Sequence, residues 1–74
     1  MPPLPQLSGD EAVKAFEKLG YERVRQKGSH IRLVSNEPGR NPLTVPRKKE
    51  LKRGMLRSLI RDAGISVEEF IELL

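Results

Sequence analysis

Apolar residues in the first part of the chain recur at three- and four-residue spacing. Ala12, Val13, Phe16 and Leu19 share one helical face, while Lys14, Glu17 and Lys18 fall on the wet side. Ser8 precedes this run and Glu11 follows three positions later, the pairing of a capping box. Asp10 and Glu11 favour the positive end of the helix dipole, and Gly20 supplies a left-handed stop. The pattern predicts a first helix over residues 8–19. From Tyr21 to Lys27 the alternation is weak, with Tyr21 and Val24 on opposite parities, which reads as a short edge strand. Gly28-Ser29 turns the chain. His30 to Ser35 then alternates cleanly, with Ile31 and Leu33 on one face and His30, Arg32 and Val34 on the other.

Ser35 to Pro42 is dense in turn formers and joins this strand to a third, Leu43-Thr44-Val45, which Pro46 ends. Arg47-Lys48-Lys49 forms a basic linker. Leu51, Met55, Leu59 and Ala63, widened by Leu56 and Ile60, predict a second helix from about Glu50 to Ala63. Gly54 weakens that helix by about 1 kcal/mol relative to alanine, so it marks either the helix start or a close approach of backbone. Ser66-Val67-Glu68-Glu69 repeats the capping-box pattern and opens a terminal helix with Val67, Phe70, Ile71 and Leu74 apolar.

The order α-β-β-β-α, with a short extra C-terminal helix, implies an α+β fold. A three-stranded antiparallel sheet carries its helices on one face, the arrangement of double-stranded RNA-binding domains. Residues 1–7 hold three of the six prolines and read as an extended or disordered tail; residues 8–74 form a single domain.

Composition narrows the chemistry. The chain of 74 residues has no cysteine and one histidine, which excludes disulfides, thiolate metal sites and a histidine-rich metal centre. No metal or cofactor is expected. Lack of cysteine fits a reducing cytosol, and no apolar run approaches a signal-peptide core or a membrane span, so a cytoplasmic protein without membrane attachment is expected. Charge is segregated within a net of +4. From Arg23 to Arg61 there are 12 lysines and arginines against two acids, Glu37 and Glu50, whereas residues 62–74 carry four acids and no base. A field of that shape suits a polyanion, nucleic acid first.

The basic centre surrounds His30. Histidine alone has an unperturbed pKa near neutrality and is the natural general acid or base. Cutting RNA without a metal requires a group that deprotonates the 2′-hydroxyl attacking the adjacent phosphate, and cations that stabilise charge on the phosphoryl oxygens. His30 fits the first task. Lys27, Arg32, or Arg47, Lys48 and Lys49 fit the second, while Gly28 lets backbone approach a phosphate and Ser29 can donate to it. No second histidine exists to protonate the leaving oxygen, which leaves Tyr21, a lysine or water. Arg53, Arg57 and Arg61 share a helix face that reads as a phosphate-contacting ridge, a solvated surface or a docking face for an acidic partner. On composition alone, a lone histidine is more often a surface or packing residue than a catalyst. Aromatics are 4%, so a stacking platform for single-stranded bases is lacking.

In order along the chain, Lys27-Gly28-Ser29-His30, Thr44-Val45-Pro46, the run Leu51-Lys52-Arg53-Gly54-Met55-Leu56-Arg57 and Ala63-Gly64-Ile65-Ser66 resemble the HicA toxin family from about residue 8 to the C-terminus. Where family members often carry further histidines, this chain has Ile31 and Arg47. The resemblance implies the toxin of a type II toxin–antitoxin pair with a double-stranded RNA-binding-like fold. It implies an mRNA interferase needing no cofactor, held inactive by a HicB antitoxin, with His30 catalytic. Lys27, Gly28, Ser29, Arg32, Arg47, Lys48, Lys49, Lys52 and Arg53 are then the expected RNA contacts. The alternatives are a non-catalytic RNA-binding module and an interaction subunit whose basic face only binds an acidic antitoxin-like protein.

Overall fold

The computed structural model describes residues 3–74, and its elements run α1 (Gly9–Lys18), β1 (Glu22–Lys27), β2 (His30–Val34), β3 (Leu43–Pro46), α2 (Arg53–Asp62) and α3 (Val67–Glu72). The strands form one antiparallel sheet in the order β1-β2-β3. This is the predicted α+β architecture, an open three-stranded sheet with helices on one face.

Strand parity decides which face is covered. Ile31 and Leu33 of β2 and Leu43 and Val45 of β3 are buried against Val13 and Phe16 of α1 and Leu56, Leu59 and Ile60 of α2. Phe70 of α3 completes the core, its ring centroid 5.1 Å from that of Phe16. Both predicted capping boxes form, Ser8 with Glu11 and Ser66 with Glu69. Each joins two otherwise orphaned backbone N–H groups to side-chain oxygens at about 3 Å.

The second helix starts later than the spacing of its leucines predicts, at Arg53 rather than Glu50, with Lys52 as an N-cap that makes no side-chain capping bond. Leu51 is nevertheless buried, reaching the core from the preceding loop, where its N–H donates to the Leu7 carbonyl oxygen at 2.7 Å. Met55, predicted to join the apolar stripe, is instead 43% exposed. The stripe that packs is Leu56, Leu59, Ile60 and Ala63. Once Leu51 leaves the helix, Met55 loses the neighbour that placed it inward. Within the predicted tail, Met1 and Pro2 lie outside the described residues. Leu4 and Leu7 are core members at 2% and 7% exposure.

Candidate active site

The site is built on the β1-β2 hairpin. Lys27 and His30 pair directly across the strands, leaving Gly28-Ser29 as a two-residue turn. Gly28 has φ +57°, and no other residue type in the described chain has positive φ. A two-residue hairpin with positive φ at its first central position only is a type II′ turn, whose twist matches the flanking strands. Gly28 is therefore required by the backbone itself, whether or not a phosphate approaches it.

Because Ile31 and Leu33 point into the core, His30 and Arg32 stand exposed on the open face of the central strand. The register arranges that face in rungs. One rung holds Lys27, His30 and Pro46; the next on the same side holds Arg25, Arg32 and Thr44. A shallow depression over these rungs is lined by Arg25, Lys27, Gly28, Ser29, His30, Arg32 and Thr44. It contains no acid. Arg32 Nη1 donates to Thr44 Oγ1 at 2.9 Å, while the side chains of Arg25, Lys27 and His30 make no hydrogen bond or ion pair among the described residues.

A second depression lies across the turn, lined by Ser8, Asp10, Gly28, Ser29, Arg47, Lys48 and Lys49. Here the segment leaving β3 is laced to its surroundings by backbone bonds. Arg47 N–H donates to the Ser29 carbonyl oxygen at 2.6 Å, and Gly9 N–H donates to that of Lys48 at 2.8 Å. Gly9 makes this crossing possible, since a Cβ there would overlap the Pro46 carbonyl oxygen and touch Arg47 Cα. The Arg47 guanidinium is engaged. Its Nε and Nη2 donate to the two Asp10 carboxylate oxygens at 3.0 and 3.2 Å, the only ion pair among the described residues. The Arg47 hydrogen bond, with the charges of Arg47, Arg23 and Lys14, holds the Asp10 carboxyl below the usual carboxylate range. The Arg47 backbone thus helps position Ser29 and the hairpin turn, and Lys48 and Lys49 are the cations of this depression whose side chains are unpaired among the described residues.

Of the residues singled out from sequence, the structure brings His30, Lys27, Gly28, Ser29 and Arg32 together on the open face. Arg47, Lys48 and Lys49 gather on the other side of the same turn. Lys52 and Arg53 lie apart, lining a depression with Gln6, Glu50 and Leu51. Tyr21, one candidate for the opposing acid, is 3% exposed, and its hydroxyl donates to the Asn41 carbonyl oxygen at 2.7 Å. Burial pushes its pKa up. It fastens the β2-β3 connection rather than facing the site. Sequence reasoning passed over Arg25 and Thr44. The signal for Arg25 was its two-residue spacing from Lys27, which puts both on one strand face; Thr44 is marked only by its cross-strand register with Arg32.

A family model described as the HicA toxin of bacterial toxin-antitoxin matches residues 9–65, from the first residue of α1 to just beyond α2. Among solved structures, a chain of a toxin–antitoxin complex from Streptococcus pneumoniae superposes with a TM-score of 0.66 at 30% identity, covering 85% of this chain and 100% of that one. No curated protein sequence matches the chain. The matched segment contains the hairpin, the whole sheet and, apart from Ser8, every residue lining the two depressions beside the turn, and on it the chain belongs to the HicA family of bacterial toxin–antitoxin toxins.

Proposed function

We propose that this toxin is an endoribonuclease acting on mRNA in the cytoplasm, with His30 as its acid–base residue, and that a HicB-type antitoxin neutralises it. The observation that carries the reading is the placement of His30. Its side chain is exposed, makes no hydrogen bond among the described residues, and sits on the central strand among Lys27, Arg25 and Arg32 in a depression without acids. Family membership and the toxin–antitoxin complex in which a similar chain was solved support an antitoxin partner.

In the proposed reaction the His30 imidazole takes the proton of a ribose 2′-hydroxyl. The 2′-oxygen bonds to phosphorus as the bond to the 5′-oxygen of the next nucleotide breaks, giving a 2′,3′-cyclic phosphate and a 5′-hydroxyl. Charge that develops on the non-bridging oxygens faces Lys27, and its stabilisation in a pre-arranged cationic site is the larger part of such catalysis. The 5′-oxygen leaves with a proton from Lys27, the cross-strand neighbour of His30, or from water. Lys48 and Lys49 hold RNA backbone across the turn.

The test is incubation of antitoxin-free protein with an RNA oligonucleotide and with its 2′-deoxy counterpart. Cleavage of the RNA alone, leaving cyclic phosphate ends, is expected. Salt-sensitive binding with both strands intact would instead assign the protein as a non-catalytic RNA-binding module.

A further inference from the structure

We propose that Arg25 and Arg32 together form a second phosphate site, one rung from His30, and that Thr44 is the positioning residue that aims Arg32 into it. The proposal rests on reading the open face as the RNA-binding surface.

Arg25 and Arg32 are directly paired across β1 and β2, and Thr44 is paired with Arg32 across β2 and β3. Two like charges facing each other across a ladder repel and weaken the pairing. Among the described residues no acid pairs with either of them. The nearest acid by register, Glu22, is paired with Val34 one open-face rung further on and makes no ion pair with either arginine. An anion between the guanidinium groups turns that repulsion into attraction, so the rung is arranged for a ligand that the folded chain does not itself supply.

Thr44 adds direction. Its hydroxyl oxygen accepts from Arg32 Nη1 at 2.9 Å, which holds one edge of the guanidinium against β3 and leaves the rest of the fork open. The hydroxyl's own proton has no acceptor among the described residues and can go to the same anion. The spacing fits a nucleic-acid strand. Same-face positions on a strand are about 6.7 Å apart, comparable to the separation of successive phosphates along one chain. With the scissile phosphate on the His30-Lys27 rung, the neighbouring phosphate falls on the Arg25-Arg32 rung. The phosphate is read by charge and geometry, with no phenylalanine, tyrosine or tryptophan lining the depression.

The experiment uses the full chain in two backgrounds. In the His30→Ala background, binding of an RNA oligonucleotide is measured across a salt series for Arg25→Gln, Arg32→Gln and Thr44→Val. Each arginine change should lower the slope of log K against log salt by about 0.7, the loss of one single-strand phosphate contact. In the His30 background, Thr44→Val should raise KM several-fold with kcat unchanged, and Thr44→Ser should restore it. Val keeps the branched shape suited to a strand, and thermal midpoints check that all variants fold. If the wild type cuts RNA while the slopes and KM stay as in the parent proteins, the second phosphate site is refuted. If the wild type does not cut RNA but the slopes fall as stated, the nuclease reading fails and the phosphate site stands.

Discussion

Gly9 and Gly54 both lie in the first turn of a helix, yet replacing them with alanine should move stability in opposite directions. In an unstrained helical position the change removes freedom from the unfolded chain and stabilises by about 0.4–1 kcal/mol. Gly54 meets that condition, since a Cβ there has no neighbour within 4 Å. Gly9 does not. Its added Cβ would overlap the Pro46 carbonyl oxygen and sit 3.0 Å from Arg47 Cα. Both are backbone atoms, and the segment they belong to is tied down by bonds to Ser29 and from Gly9. Relief requires moving that segment, at the cost of about 1–3 kcal/mol typical of overpacking. Offset by the entropic gain, the net loss for Gly9→Ala is about 1 kcal/mol, taking the middle of both ranges. In a domain of this size that lowers the thermal midpoint by about 4–8 °C, against a rise of a few degrees for Gly54→Ala. Denaturant melts of both variants beside the wild type read the difference directly. A Gly9→Ala protein as stable as the wild type would refute the close crossing of α1 by the chain leaving β3, and with it the account of how Ser29 is held.

Titration of two groups gives further expectations. The Asp10 carboxyl is depressed by Arg47, so the pair's contribution is present above the ordinary aspartate pKa and lost as pH falls through the lower folded value. Urea midpoints of Asp10→Asn should therefore converge with those of the wild type on the acid side and fall below them near neutrality; parallel curves would contradict this. The Tyr21 phenol is raised by burial, so its contribution is full below the ordinary tyrosine pKa and lost as pH climbs through the higher folded value. Tyr21→Phe removes that alkaline loss and, by deleting the bond to Asn41, costs about 1 kcal/mol at neutral pH. RNA cleavage by Tyr21→Phe at a rate far below wild type in a fully folded protein would contradict its exclusion from the site.

What could be read from the chain alone was local or periodic. The capping boxes join residues three apart, and the split between Ile31 and Leu33 on one side and His30 and Arg32 on the other follows from the pleat. What escaped depended on distant partners. Leu51 and Met55 satisfy a four-residue spacing equally well whether the helix begins at Glu50 or Arg53, and only docking of Leu7 against residue 51 decides it. Leu4 and Leu7 look like tail residues among prolines until the core that receives them is assembled. Arg47 reads as a free cation because its partner, Asp10, lies 37 positions earlier. The register irregularity between Arg23 and Arg25 explains the poor alternation of β1, where Val24 is left 54% exposed. After that irregularity the pairing is regular, so Arg25 and Lys27 share the open face with His30. Ile31 illustrates the same rule from the other side. At 0% exposure in the core, that position cannot present a side chain beside His30.

The most direct test of the central claim compares the wild type with His30→Ala in the same RNA cleavage assay, with circular dichroism and RNA binding measured in parallel. Because the His30 side chain is exposed and makes no hydrogen bond among the described residues, its removal should leave stability and binding close to wild type and abolish cleavage. A folded His30→Ala protein that still cuts RNA at the wild-type rate would contradict the account.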